Sequence, residues 1–165
     1  MSEPNVVYFA HGKDSGPWGS KIQLLAKLAE AQGLAVESPD YQDLETGQDR
    51  LEKLNHLLAQ DTRSPILVGS SMGGWVSAQM AASQPCEGLF LMAPAFEMPD
   101  HESAPLPNEQ GAWIIHGSDD DVVPIEQSQQ RIRRGKDTLL NVPDGHRLAR
   151  SHLVLAHFFQ AFLAS

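Results

Sequence analysis

Cysteine, basic charge and long apolar runs are all scarce in this sequence, and each shortage removes a class of protein. A single cysteine, Cys86, excludes an intrachain disulfide and a zinc framework built on thiolates. It reads as a half-buried residue between Pro85 and a strand. No stretch approaches the roughly 18 consecutive apolar residues of a membrane span, and Met1 to Asn5 hold no basic segment ahead of an apolar one. The expected location is the cytoplasm, with no membrane among the partners. Twelve basic against twenty-one acidic residues leave a formal charge of -9. That balance argues against nucleic acid and fits a neutral or cationic substrate better than an anionic one. No cluster of carboxylates and histidines with ligand spacing points to a metal, and no cofactor is expected. Repeats and low-complexity linkers are missing too. A length of 165 residues suits one domain, 1–165, able to bury roughly 70% of its unfolded surface.

What is present is an alternation of apolar runs of strand length with amphipathic stretches of helix length, the pattern of a parallel α/β sheet. Six such units are expected. Strand Val6 to Ala10 leads through the turn His11 to Pro17 to a helix from about Trp18 to Gln32, closed by Gly33. Strand Leu34 to Glu37 precedes a helix near Gly47 to Gln60, with Leu51, Leu54, Leu57 and Leu58 as its buried stripe. Strand Pro65 to Gly69 is continuously apolar, as in a strand covered on both faces; it runs into a helix ending near Ser83. After strand Gly88 to Met92 comes an irregular stretch, Ala93 to Gly111, whose prolines 94, 99, 105 and 107 exclude a long helix. Strand Ala112 to His116 meets an acidic turn and a helix from Pro124 to about Arg134. Strand Thr138 to Val142 ends at Pro143-Asp144-Gly145-His146, before a final helix near Ser151 to Leu163.

Where the third strand meets its helix stands Gly69-Ser70-Ser71-Met72-Gly73, a G-x-S-x-G nucleophile elbow. The motif puts a serine on a strained turn with its hydroxyl above the sheet, and both glycines avoid collisions with neighbouring backbone. The flanking glycines select Ser71 over Ser70. A serine hydroxyl needs a base, and the base needs a third group to hold its tautomer. One of Asp119, Asp120 and Asp121 suits that task, after the fifth strand and at the edge where open parallel sheets bind ligands. At least one of the three, Asp121 above all, is expected instead to cap the helix at Pro124. His146 lies past the last strand on the same edge and is the candidate base; His56, His101, His152 and His157 read as surface or packing residues. An oxyanion hole needs the N–H of Met72 and a second N–H from the loop after the first strand, for which Lys13 is the choice. His11 and Gly12 flank it, His11 reading as a loop-structuring residue. Trp18, Trp75, Phe96 and Met98 sit in or beside the segments around the elbow and are candidates for an acyl pocket. For Trp75 the alternative is packing against the sheet.

The whole chain resembles the small, nearly capless bacterial α/β-hydrolases. Gly69 to Val76 and Asp144-Gly145-His146-Arg147-Leu148 are similar to stretches of the mitochondrial palmitoyl-protein thioesterase group. In the family pattern H-G-x-x-D-x-V-V-P the resemblance puts the acid on Asp120, and it puts the second oxyanion donor directly after His-Gly, on Lys13. It implies a three-layer, shortened α/β-hydrolase fold with six parallel strands in the order 2-1-3-4-5-6, without the two leading strands of larger members. The lid of many relatives is reduced to 93–111, so an open site is expected. The chemistry implied is cleavage of a carboxylic ester or thioester by a cofactor-free serine hydrolase, with a small molecule as its partner and a monomer or homodimer as its form. Perhydrolysis, carbon–carbon hydrolysis and a non-catalytic binding role remain alternatives on this fold.

Overall fold

In the computed structural model, which describes residues 5–107 and 109–165, six strands form one all-parallel sheet in the order β2-β1-β3-β4-β5-β6. Residues 1–4 of the Met1 to Asn5 segment, and Asn108 of the proline-rich stretch, lie outside the described residues. The strands are β1 (Val6–Ala10), β2 (Ala35–Glu37), β3 (Pro65–Ser70), β4 (Gly88–Met92), β5 (Ala112–Gly117) and β6 (Thr138–Val142). Side chains on successive strand residues point to opposite faces, and the two faces become two cores. Val6, Tyr8, Leu67, Leu89, Leu91 and Ile114 meet Leu54, Leu58 and Val76 from helices α2 (Gly47–Ala59) and α3 (Met72–Ser83). On the other face Val7, Phe9, Val68, Phe90, Ile115 and Val142 meet Ile22, Leu25, Leu155 and Phe159 from α1 (Ser20–Ala31) and α5 (His152–Ala164). The central strands β1, β3 and β4 are therefore apolar at nearly every position, as their sequences require.

One helix departs from expectation. The segment 124–134 forms only a single turn, α4 (Glu126–Gln129). The Arg133 N–H is taken by the Asp137 carboxylate at 2.8 Å, and the Asp137 side chain also grips the Arg133 guanidinium. A local side-chain acceptor thus replaces the helical carbonyl. The proline-rich stretch contains no helix among its described residues and is stitched instead to the sheet edge. Ala93 N–H donates to Ile115 O, and Ala95 N–H to Ser71 O. Among the described residues no helix is long and apolar enough to cross a membrane.

Candidate active site

Parallel strands deliver every following loop to one edge, so the loops after β1, β3, β4, β5 and β6 meet above it. Ser71, one residue past β3, has φ 55° and ψ -116°, a region costly for a residue with a Cβ. It is held there from both sides: its N–H donates to Met92 O and its carbonyl accepts from Ala95 N–H. The close approaches that the elbow demands are real. A Cβ on Gly69 would lie 2.2 Å from Gly73 O, and one on Gly73 would lie 1.9 Å from Ala10 O.

Ser71 Oγ lies 3.1 Å from His146 Nε2, and His146 Nδ1 lies 2.7 Å from Asp120 Oδ2. Since the carboxylate accepts the Nδ1 proton, Nε2 is the unprotonated nitrogen and accepts from the serine hydroxyl. Asp120 serves two tasks. Its Oδ2 orients the histidine, while Oδ1 accepts from the Val122 and Val123 N–H groups at 2.9 and 2.8 Å. No aspartate side chain caps α4 as expected: Asp120 closes the turn ahead of it instead, and Asp121 is exposed. The loop carrying His146 is fixed by Asp144, whose carboxylate accepts from Gly145 N–H, Arg150 N–H and the Ser151 hydroxyl. The Ser151 hydroxyl, with those N–H groups, holds the Asp144 carboxyl below its ordinary pKa, against the effect of burial.

Two residues that sequence reasoning did not single out support this arrangement. His116, at the end of β5, is fully buried; its Nε2 lies 2.8 Å from Val123 O and 3.2 Å from Asp120 Oδ2, and its Nδ1 lies 2.7 Å from Ser128 Oγ. Burial lowers its pKa, so the ring is neutral, Nε2–H donates to the carbonyl and Nδ1 accepts from the serine. The other is Arg50 of α2, 1% exposed. Its guanidinium donates to the carbonyls of His11, Gly12 and Leu44 at 3.1, 3.2 and 2.9 Å. His11 behaves as a loop-structuring residue: Nδ1 donates to Gly12 O, Nε2 accepts from Tyr41 N–H, and burial depresses its pKa. With the Gly12 carbonyl drawn to Arg50 and His11, peptide planarity turns the Lys13 N–H the opposite way. Neither that N–H nor the Met72 N–H has a partner among the described residues. Gly12 packs close to Ser71, a Cβ on it lying 3.4 Å from Ser71 Cβ. A signal for Arg50 existed, since position 50 falls on the Leu54 and Leu58 face of α2; its charge disguised it.

A cleft of about 810 Å³ opens over Ser71, walled by His11, Gly12, Lys13, Met98, Val122 and His146 among others, within the size of small-molecule sites. Of the acyl-pocket candidates only Met98 lines it. Trp75 lies one turn into α3 and faces the other way: it is 2% exposed, donates its indole N–H to Glu102 O at 2.8 Å, and packs edge-on against His101. Trp75 is a packing residue, set against His101 and Glu102 of the 93–111 stretch and Gly47 of α2. Phe96 is completely buried, with the Arg131 guanidinium 5.0 Å above its ring. Its neighbours Ala95 and Glu97 reach the cleft instead. Trp18 is 50% exposed and stands outside the lining. Among the described residues no group of three histidine, cysteine or acidic side chains is arranged to hold a metal ion.

The parallel sheet in this strand order, with a serine elbow at its carboxyl edge, defines a member of the α/β-hydrolase superfamily. Residues 5–103 match the model of UPF0227, described as an uncharacterised protein family, and the chain belongs to that family. The match spans the elbow and the His11–Lys13 loop and stops before Asp120 and His146. A protein of the alpha/beta hydrolase superfamily from Xanthomonas campestris pv. campestris is 30% identical with a TM-score of 0.86, over 97% of this chain and 98% of that one. Mouse alpha/beta hydrolase domain-containing protein 10 is 17% identical at TM-score 0.77, over 99% and 91% of the two chains. Est1E from Butyrivibrio proteoclasticus is 16% identical at TM-score 0.78, over 98% and 88%. These last two share the fold. No curated protein matches the sequence.

Proposed function

We infer that the protein is a serine hydrolase that cleaves a carboxylic ester or thioester through an acyl-enzyme on Ser71. The observation that carries this reading is the continuous relay Asp120 to His146 to Ser71, at 2.7 and 3.1 Å, opening onto the cleft. In the first step His146 Nε2 takes the serine proton as Oγ attacks the acyl carbon. The negative charge gathers on the former carbonyl oxygen, facing the N–H groups of Met72 and Lys13. The imidazolium, steadied by Asp120, then gives its proton to the departing alkoxide or thiolate. Water then enters and attacks the acyl carbon as it loses a proton to His146, and the Ser71 Oγ–acyl bond breaks as His146 returns that proton to Oγ, releasing the acid. An ester or thioester is favoured because its leaving group needs less assistance than an amide nitrogen, and the cleft is open to a small-molecule substrate.

The test is hydrolysis of p-nitrophenyl esters from acetyl to palmitoyl and of one acyl thioester, by wild type and Ser71→Ala, with fluorophosphonate labelling read by intact mass. Turnover that falls by several powers of ten in Ser71→Ala, with one label per wild-type chain, is the expected result. A folded wild-type protein that neither turns over any ester nor takes the label would overturn the reading in favour of a binding role.

A further inference from the structure

Lys21 is a cation without an assigned task. It stands in the first turn of α1, is only partly exposed and lines the cleft over Ser71. Among the described residues it makes no hydrogen bond and no ion pair. Burial pushes its pKa down, and the charges it feels are those of Asp120, Arg147 and Asp144. Asp144, His146 and Arg147 lie in the loop between β6 and α5, and α1 packs with α5 on the same face of the sheet, so Lys21 at the start of α1 lines the side of the cleft from which His146 enters. Neither carboxylate is free to serve it. Asp120 is committed to His146 and to the Val122 and Val123 N–H groups, and Asp144 to Gly145, Arg150 and Ser151. Arg147, directly after His146, lines the same cleft with no hydrogen bond or ion pair to a described residue, so a second positive charge stands beside the first. Of the acids at the cleft, Glu97 is paired with Arg131 at 3.5 Å, while Asp14 and Asp121 are exposed at the rim. A partly buried ammonium with nothing to bind is costly unless a ligand supplies the missing acceptor.

The side on which these cations stand has chemical meaning. His146 must reach the leaving atom to protonate it, so the alcohol or thiol part of the substrate lies against the His146 wall. We propose that this leaving group carries an anion, a carboxylate or a phosphate, bound by Lys21 and Arg147. The inference rests on the Ser71 hydrolase reading and adds the substrate class to it. It departs from the neutral or cationic substrate suggested by the net charge of -9, because net charge averages the whole surface whereas Lys21 and Arg147 stand on the His146 side of the cleft without a paired carboxylate.

The experiment compares acetyl esters of matched phenols: 4-acetoxybenzoate and 4-acetoxyphenyl phosphate against neutral 4-acetoxybenzamide. A control pair carries the charge on the acyl side, p-nitrophenyl hydrogen succinate against p-nitrophenyl methyl succinate. The readout is the ratio of kcat/KM for anionic and neutral partners, in wild type, Lys21→Gln, Lys21→Arg and Arg147→Gln. A wild-type ratio above one for the phenol-side pairs is expected, falling roughly ten- to hundredfold in Lys21→Gln and less in the exposed Arg147→Gln. Lys21→Arg is expected to retain it, and added salt to shrink it. The larger of the carboxylate and phosphate ratios identifies the anion. A ratio near one in wild type, the same ratio in Lys21→Gln, or a preference confined to the acyl-side pair overturns the proposal. If fluorophosphonate labels Ser71 and 4-acetoxybenzamide is turned over without charge preference, this inference alone fails. If label and turnover are both absent, it falls together with the hydrolase reading.

Discussion

Arg50 is a guanidinium shut inside the protein with no carboxylate at ion-pair distance among the described residues; its donors go to three backbone carbonyls. Two of those belong to the loop that leads into Lys13, so under the proposed mechanism Arg50 would act on the reaction through the backbone. Arg50→Gln is expected to lower kcat roughly ten- to hundredfold with little change in KM, since an oxyanion donor contributes chiefly in the transition state. Arg50→Lys should fall between the two, because an ammonium cannot span three carbonyls with the fixed fork of arginine. Steady-state kinetics on p-nitrophenyl acetate, beside circular dichroism for folding, decides it; a rise in KM alone would assign Arg50 to binding. Among the three consecutive aspartates, Asp120→Asn is expected to reduce kcat by several powers of ten, by favouring the wrong imidazole tautomer. Asp119→Asn, exposed and outside the relay, should change it by less than about threefold. The reverse order would move the acid to Asp119.

At the scale of elements, the elbow joins β3 to α3 by packing backbone directly on backbone. A Cβ on Gly73 would meet the Ala10 carbonyl, in β1, which the sheet holds fixed. Gly73→Ala is therefore expected to destabilise the fold by about 3 kcal/mol or more, visible as a lower urea midpoint. Gly145→Ala, where a Cβ meets nothing within 4 Å, should change the unfolding free energy by less than about 0.5 kcal/mol and leave the midpoint nearly unmoved. Equal midpoints would mean that the elbow relaxes. This level also shows what the sequence can and cannot disclose. Strands β1, β4 and β6 cover the expected residues, β6 bounded by Asp137 and Pro143, while β3 and β5 gain one residue each and β2 loses Leu34. The elbow and the 2-1-3-4-5-6 order were legible through motif and resemblance. The single turn of α4 was not, because Asp137 captures Arg133 from four residues away. Trp75 and Phe96 were near the elbow in sequence but point away from it in space, a matter of helix phase and loop path that spacing alone does not report. Arg50 and His116 act through carbonyls and a neighbour's carboxylate, and such contacts leave no mark in composition.

For the whole molecule, acid should act in two stages. His11 and His116 are both held below the ordinary imidazole value of 6.5 by burial. Below 6.5 the unfolded chain takes up protons that the folded chain refuses, so their contribution is intact above that pH and declines as pH falls through it. Asp61, Asp137 and Asp144 are depressed below the carboxylate value of 3.8: Asp61 chiefly by Arg63, Asp137 by Arg133 against burial, Asp144 chiefly by Ser151. Their stabilisation is present above 3.8 and disappears as pH falls below it. Thermal unfolding followed from about pH 8 to about pH 3 should show Tm flat, then sloping below about 6.5, then steeper below about 4. A Tm that stays level between about 7 and 5 would mean that neither histidine resists protonation.

The relay also has a temporal meaning. Ser71 and His146 stand 75 positions apart, and they meet only after β6 has docked on β5 and β5 on β4. Long-range pairings of this kind are slow to form, because loop closure must precede the contacts that reward it. The contact of Trp75 with Gly47 of α2 needs none of those strands, whereas its cover by His101 and Glu102 comes after β4. In a refolding reaction, tryptophan fluorescence from that contact can therefore run ahead, while the return of ester turnover acts as a clock for closure of the far edge of the sheet.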